Sequence, residues 1–390
     1  MIKSFNLAAT PLLHFGTGKI AVLADVVKTF GSKVLIVTGG RSFSLSDQFQ
    51  KLQEQCSANK ISFSHYKVTT EPTPALVDEA VSASASFAPE VVVAIGGGSA
   101  LDAGKAIAAM LPINRPVKDY LEGVGKSNHP GIKVPFIAVP TTAGTGSEAA
   151  KNAVLSEIGE QGFKKSLRHN NFIPNVAIID PVLALSCPST TTAASGMDAF
   201  TQLLESYLSN NANRVTDAMA YEGLQCVSNS LERAYRDGSN LDARVDMALS
   251  AYLSGVTLTS AGLGLVHGLA GAIGGYFAVP HGLICSSLMA AANKVTVRKL
   301  RTGRTNDKAL QKYSAIGKMF AKSDDKPEAY YVDFLLSTIE RMASDMDIAR
   351  LKMMGINSND FVKIVTAAEN KNNPVTLTNE EMLEVLELAS

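Results

Sequence analysis

Two rhythms divide the chain. In the first half, short runs of consecutive apolar residues alternate with stretches of helical spacing. Lys33–Thr38 (KVLIVT), Val91–Ile95 (VVVAI), Val134–Val139 (VPFIAV) and Val176–Ile179 (VAII) are of strand length, and each ends at Gly, Pro, Thr or Asp. Unbroken rather than alternating hydrophobicity suits parallel strands covered on both faces. Ala75–Ala88 and Ser99–Met110 read as the intervening helices. Beyond Asp180-Pro181 the strand-like runs stop, and Thr216–Tyr235, Leu241–Leu258 and Leu310–Phe320 carry helical periodicity. The two prolines of PVLALSCPST mark the change. The pattern predicts an α/β domain with a parallel sheet over residues 1–183 and an all-helical domain over 184–390. Ligands are expected at the carboxyl ends of the strands.

Length agrees with two domains, because 390 residues exceed what one hydrophobic core usually serves. Thirty-six basic residues balance thirty-six acidic ones, so no net field draws the protein to nucleic acid or to an anionic membrane. The longest apolar region, 261–292, holds two His, a Pro and many Gly, unlike a lipid-facing helix. Cys56, Cys187, Cys226 and Cys285 are scattered and form no CxxC pair. That spacing argues against a disulfide framework or a thiolate zinc site and for a reducing, cytoplasmic setting. The N-terminus lacks the pattern of a secretory signal.

Any anion must therefore be held by local geometry, and two loops offer it. In VVVAIGGGSALDAGKAIA, three glycines follow a strand and Ser99 stands where a helix begins. Gly96, Gly97 and Gly98 permit close backbone approach, and the first N–H groups of the helix favour a pyrophosphate. The run is not the G-x-G-x-x-G fingerprint, and GVGKS at 123–127 is not a Walker loop, since Tyr120 replaces its first glycine. The bland alternative is a tight turn without ligand. The second loop, PTTAGTGSE, offers Thr141, Thr142, Thr145 and Ser147 as hydroxyl donors to phosphate or ribose. Lys164 and Lys165 lie downstream as a further phosphate contact or as a solvated face.

The helical half supplies a different chemistry. Asp198 and Gln202 are four apart, hence on one helix face. His267 and His281 each lie in an apolar stretch, with Pro280 between them. One carboxylate and two imidazoles suit zinc or ferrous iron. Taken singly, either His reads equally as a satisfied core residue, and Asp198 as an ordinary first-turn acid.

Together these segments resemble the iron-containing, or group III, alcohol dehydrogenase family: FGTGKI, VLIVTGG, GGGSALDAGKAIA, PTTAGTGSE, AIIDP, GMDAFTQLLESYLS, GLGLVHGLAGAIG, VPHG and NNPVT occur in fixed order over nearly the whole chain. The resemblance implies the dehydroquinate synthase-like architecture, with an N-terminal dinucleotide-binding domain, a C-terminal all-helical domain, and substrate and metal between them. It implies that Gly97, Gly98, Ser99, Asp102, Thr141, Thr142, Thr145 and Ser147 contact NAD or NADP, with Lys164 a further candidate. It makes Asp198, His267 and His281 the catalytic metal ligands, and it implies a homodimer or larger assembly acting on a small alcohol or aldehyde.

Three positions depart from the family. The usual fourth ligand, a His four residues after the Asp, is Gln202, a weaker and harder donor. This leaves open a metal completed by Gln202 or water, a shift toward zinc, or a metal-independent site reducing an oxo-acid or similar carbonyl. Gly271 stands where many members carry a further His near the nicotinamide. Gly39 replaces an acid common in NAD-using members, and the run Gly39-Gly40-Arg41-Ser42 permits the 2′-phosphate of NADP. Two rivals are a lyase resembling dehydroquinate synthase and a binding or scaffold protein that has lost its chemistry.

Overall fold

The computed structural model describes residues 4–40, 43–113, 115–303 and 307–390; Arg41 and Ser42 lie outside the described residues. The chain separates into two compact units. One spans 8–157 and 164–187, and the other takes in 158–163, 188–390 and the N-terminal residues up to Leu7.

The first unit is α/β. Its strands are β1 (Leu12–Phe15), β2 (Lys33–Gly39), β3 (Ser62–Val68), β4 (Val91–Gly96), β5 (Phe136–Pro140), β6 (Asn152–Glu157), β7 (Phe163–Arg168) and β8 (Val176–Ile179). Six form one sheet in the order β1-β8-β5-β4-β2-β3, and every pair in it is parallel. The four apolar runs read from the sequence are β2, β4, β5 and β8, the interior of that sheet. They have to be unbroken, because both faces are covered. Val34, Ile36, Val93, Ile95, Ile137, Val139 and Ile178 pack on one side with residues of α1 (Leu23–Lys28) and α2 (Asp47–Ala58). The opposite face meets α4, where a Cβ on Gly104 would stand 2.6 Å from Ala94 Cβ and 3.2 Å from the Phe136 ring. Helices α3 (Pro74–Ser84) and α4 (Gly98–Met110) occupy the predicted positions. Thr73 caps α3 by accepting from Leu76 N, and Pro74 opens the helix.

The second unit has no strand among its described residues beyond the first residue of β7. It contains α5 (Ser189–Leu208), α6 (Arg214–Arg236), α7 (Leu241–Ala261), α8 (Leu265–Tyr276), α9 (His281–Gly303), α10 (Asp307–Ala321), α11 (Glu328–Asp345), α12 (Ser358–Ala367) and α13 (Asn379–Leu388). Among the described residues no single helix is long and apolar enough to cross a membrane. The most apolar pair, α7 and α8, is bent by 97°. The bend is made at Gly262, whose φ of +75° is a left-handed value that L side chains rarely adopt. A core of Leu265, Leu269, Ile273, Ile284, Leu288, Ile364 and Leu386 joins α8, α9, α12 and α13.

Candidate functional site

In the α/β unit the candidate site forms where the chain changes direction across the sheet, between β2 and β4. Crevices at the carboxyl ends of parallel strands beside such a switch are where ligands bind in open α/β sheets. Gly39 and Gly96 end these two strands side by side: a Cβ on Gly96 would stand 3.2 Å from Gly39 N and 2.7 Å from Ala100 Cβ. Helix α4 then starts at Gly98 with Gly97 as its N-cap, and no side chain caps it. Its leading N–H groups and the positive end of its dipole are thus offered to a ligand. The Thr-rich loop after β5 packs directly on this turn, since a Cβ on Gly97 would come 3.3 Å from Thr142 Oγ1 and one on Gly98 2.5 Å from Thr145 Cγ2. Thr141 and Thr142 are half-buried and Ser99 is exposed. An uncapped helix start with glycine at each close approach fits the pyrophosphate of a dinucleotide.

Not every residue expected to face that ligand does so. Ser147 is buried, and its hydroxyl donates to Asp102 Oδ1 at 2.5 Å, while Asp102 Oδ2 accepts from Val154 N at 3.1 Å. Half-buried Asp102 and buried Ser147 are thus bonded to each other and to the backbone at Val154. Lys164 is ion-paired with Glu71 and its side chain is 7% exposed, so it is not a loose phosphate clamp. The missing member of this network is Lys105, the lysine of GGGSALDAGK. Its buried Nζ donates to Ser147 O at 2.7 Å, Ser147 Oγ at 2.8 Å, and Ala150 O and Asn152 O at 2.9 Å each. Burial pulls Lys105 down to about 8, opposed by Asp102 and Glu148. Burial likewise pushes the Glu148 carboxyl up to about 7.

The second site lies wholly within the helical unit, where α5, α8 and α9 bring their side chains together. Asp198, Gln202 and Glu205 fall on one face of α5, and all three are buried. His267 comes from the first turn of α8, and His281 opens α9 with Cys285 one turn later. The start of α9 approaches α5 closely because Gly282 has no side chain: a Cβ there would lie 2.7 Å from Ala194 O. The His267 and His281 rings stand with centroids 5.4 Å apart. Donor atoms of Asp198, His267, His281 and Cys285 all lie within 4.8 Å of one another.

The supports of this cluster are as specific as its members. His267 Nδ1 meets Glu205 Oε2 at 2.7 Å, and Glu205 Oε1 accepts from Val266 N at 2.7 Å. With the Nδ1 proton held there, Nε2 is the ring atom that faces Asp198 Oδ1, 3.4 Å away, and the one free to give up its proton and bind an ion. A carboxylate behind a ligating imidazole is the usual way to fix its tautomer. Burial opposes charging of His267, but Cys285, Glu205 and Asp198 around it hold the ring well above the ordinary imidazole range. Asp198 is lowered: burial works against its charge, and contacts with His267 and His281 outweigh that. Asp198 Oδ1 is buried with no hydrogen-bond partner, an arrangement that costs about 1–3 kcal/mol or more unless a cation takes it up. A carboxylate, two imidazoles and an orphaned carboxylate oxygen fit a divalent metal.

Gln202, expected as the fourth donor, has its amide engaged elsewhere. Its Nε2 donates to Asp198 Oδ2 at 3.2 Å and its Oε1 accepts from Ser254 Oγ at 2.8 Å. The scattered cysteines are expected to stay clear of the metal cluster, and one of them lies beside it. Their spacing excludes a knot of several thiolates, but tertiary packing carries the single Cys285 to both histidines. Glu205 lies three residues after Gln202 and Cys285 four after His281, spacings that share a helix face, but no motif marks either.

Comparison with known proteins joins the two halves. The family model described as iron-containing alcohol dehydrogenase matches residues 11–181, and its C-terminal counterpart matches 192–390. Alcohol dehydrogenase 4 of Saccharomyces cerevisiae is 33% identical over 387 residues, covering 97% of each chain. An NAD-dependent methanol dehydrogenase of Bacillus methanolicus is 33% identical over 286 residues, 73% of each chain. Among solved structures, a 1,3-propanediol oxidoreductase superposes with a TM-score of 0.89 over 100% of both chains at 25% identity. The chain belongs to the iron-containing alcohol dehydrogenase family.

Proposed function

We propose that the protein reduces a small aldehyde, or oxidises the corresponding alcohol, at a centre held by Asp198, His267 and His281, with its dinucleotide on the Gly96–Ser99 turn. As an alcohol dehydrogenase it is an oxidoreductase that moves hydride between a nicotinamide dinucleotide and an alcohol or aldehyde. The observation that carries the assignment of residues is the convergence of these three donors from three helices, with buried Asp198 Oδ1 facing His267 Nε2 at 3.4 Å and accepting no hydrogen bond.

The chain's own groups divide the work. Glu205 holds the His267 proton at Nδ1, which leaves Nε2 as a donor. Gln202 fixes the second oxygen of Asp198 and so aims the first. When bound, a divalent metal supplies a Lewis acid that stabilises developing alkoxide charge on the substrate oxygen. The α4 N-terminus and the Thr141, Thr142 and Thr145 loop orient the dinucleotide. Gly271 places no side chain on its turn of α8, so water or the cofactor ribose supplies the proton. NADP is accepted beside NAD, because Gly39 sets no carboxylate against a 2′-phosphate. A reducing, cytoplasmic setting is carried with this reading on the scattered spacing of the four cysteines. A homo-oligomeric state is carried as part of the proposal on family grounds.

The test is NAD(P)H oxidation with a panel of short aldehydes by protein reconstituted with zinc or iron. Turnover that disappears in Asp198→Asn and His281→Ala supports the assignment. No turnover with either metal and either dinucleotide overturns it.

A further inference from the structure

Four features of the helical site bear on which residues hold its ion, and they point away from Gln202. Cys285 Sγ lies 3.6 Å from His281 Nε2 and 3.8 Å from His267 Nε2, and His267 Nε2 lies 3.4 Å from Asp198 Oδ1. Zinc binds nitrogen and oxygen at about 2.0–2.2 Å and sulfur at about 2.3 Å, so the edges of such a tetrahedron run roughly 3.3–3.7 Å. Three of the six edges already stand close to those lengths, and all four donor atoms lie within 4.8 Å of one another. Asp198 Oδ1 is independently aimed into the same space, buried and without a hydrogen-bond partner. His281 and Cys285 are one turn apart on α9, the spacing by which a helix presents two ligands to one ion. The Gln202 amide, meanwhile, is spent on Asp198 Oδ2 and Ser254.

We propose that Cys285 is the fourth protein ligand of the metal centre, in place of the residue at 202, and that the centre is a zinc site of Asp198, His267, His281 and Cys285. The inference rests on the metal reading of this cluster given above. The ligand has moved from α5 to α9. Gln202 has become the group that orients Asp198, and the donor set has gained one soft thiolate. Thiolate in a tetrahedral nitrogen, oxygen and sulfur set favours zinc over ferrous iron. A thiol left among two imidazoles and a carboxylate, rather than among aliphatic side chains, is an unusual place for a purely structural cysteine, which normally acts as a small apolar group.

Cobalt(II) reports the ligands without any assay of turnover. The full-length protein is stripped of metal and loaded with Co(II), and its absorption is recorded beside that of Cys285→Ser, Cys285→Ala and the control Cys226→Ser. Wild type and the control should show a near-ultraviolet sulfur-to-cobalt charge-transfer band together with visible bands of tetrahedral intensity. Both Cys285 variants should lose the charge-transfer band. They should also bind zinc more weakly by at least the roughly 10–100-fold that loss of a supporting group alone produces. X-ray absorption at the zinc edge should find one sulfur at about 2.3 Å in wild type only. Visible bands without a sulfur band in wild type, or a sulfur band that persists in Cys285→Ser, overturn the assignment of Cys285 and leave the metal reading intact. Failure of wild type to bind either ion overturns both.

Discussion

Gln202 Nε2 donates to Asp198 Oδ2 at 3.2 Å, one helical turn along α5, while the amide oxygen accepts from Ser254. The amide thus acts on the carboxylate that would hold the ion. Gln202→Ala removes this tether and leaves a buried carboxylate oxygen without its donor, so Asp198 becomes free to rotate. The expected result is a loss of zinc affinity of about 10–100-fold, the range for an orienting group. Competition with a chelating dye measures it, and an unchanged affinity would show that packing alone positions Asp198.

Glu205 presents a sharper test, because its two oxygens serve two donors. One accepts from Val266 N and the other meets His267 Nδ1. In Glu205→Gln the amide oxygen can still accept from the Val266 N–H, but its NH2 then faces Nδ1 and forces that atom to accept. The ring proton moves to Nε2, the atom aimed at Asp198, and the imidazole can no longer offer a lone pair there. Metal affinity should fall by about 10–100-fold or more with little loss of fold. Nitrogen NMR of the metal-free protein should show His267 losing its Nδ1 proton in the variant, and a ring that keeps that proton would refute the account.

The network of buried Lys105 and Glu148 with half-buried Asp102 predicts a pH signature. Glu148 is 2% exposed, and its carboxyl is held at about 7 against an ordinary 4.5. Between those values the folded state binds a proton that the unfolded state has released, so this group's contribution is full below pH 4.5 and is lost as pH rises through about 7. Glu148→Gln has no such loss. Relative to wild type, the variant should gain ~2–3 kcal/mol on going from pH 4.5 to 7.5. Urea denaturation of both proteins at the two pH values measures the difference of differences, which cancels the carboxylates that are not coupled to Glu148. A constant gap between them would mean that Glu148 is ionised throughout.

Two glycines one turn apart in α8 separate packing from propensity. A Cβ at Gly268 would lie 1.8 Å from Glu369 O, whereas at Gly271 it would meet nothing within 4 Å. Gly268→Ala must displace backbone and should cost at least about 1–3 kcal/mol. Gly271→Ala should instead stabilise by about 0.5–1 kcal/mol, the ordinary helical preference for Ala. Thermal unfolding midpoints moving in opposite directions confirm the contrast. Destabilisation by Gly271→Ala would reveal a constraint that the packing does not contain.

Much of this was legible in the sequence wherever one local physical rule decides the outcome. Strands β2, β4, β5 and β8 stood out because strands buried on both faces must be apolar throughout, as Val91–Ile95 is. The edge strands escaped: Ser62–Val68 is SFSHYKV and only half-buried along most of its length, so it carries no continuous apolar signal. Leu12–Phe15, LLHF, is interrupted by His14 and has no fully buried residue, so it too lacks a continuous apolar run. Asp198, His267 and His281 were recognisable by residue type within matching segments. Cys285 and Glu205 were not, because a thiol and a helix carboxylate acquire meaning only when α5, α8 and α9 pack together. The resemblance places Asp102 and Ser147 at the dinucleotide, but their bonds to each other and to buried Lys105 come from tertiary packing that no local motif announces.

Cofactor choice turns on the end of β2. Gly39 lies in a parallel strand next to Gly96, is half-buried, and has open space where a Cβ would stand, with nothing within 4 Å. A side chain can therefore be added there without steric cost, and its chemistry alone should set the outcome. In Gly39→Asp the carboxylate can accept from the ribose hydroxyls of NAD but repels a 2′-phosphate. The ratio of kcat/KM for NADPH to that for NADH should fall by roughly tenfold or more, equivalent to about 1.4 kcal/mol of discrimination. Gly39→Asn supplies the same shape without the charge and should shift the ratio much less. Equal effects of Asp and Asn would show that bulk rather than charge governs the choice, and no effect of either would place the adenosine ribose away from β2.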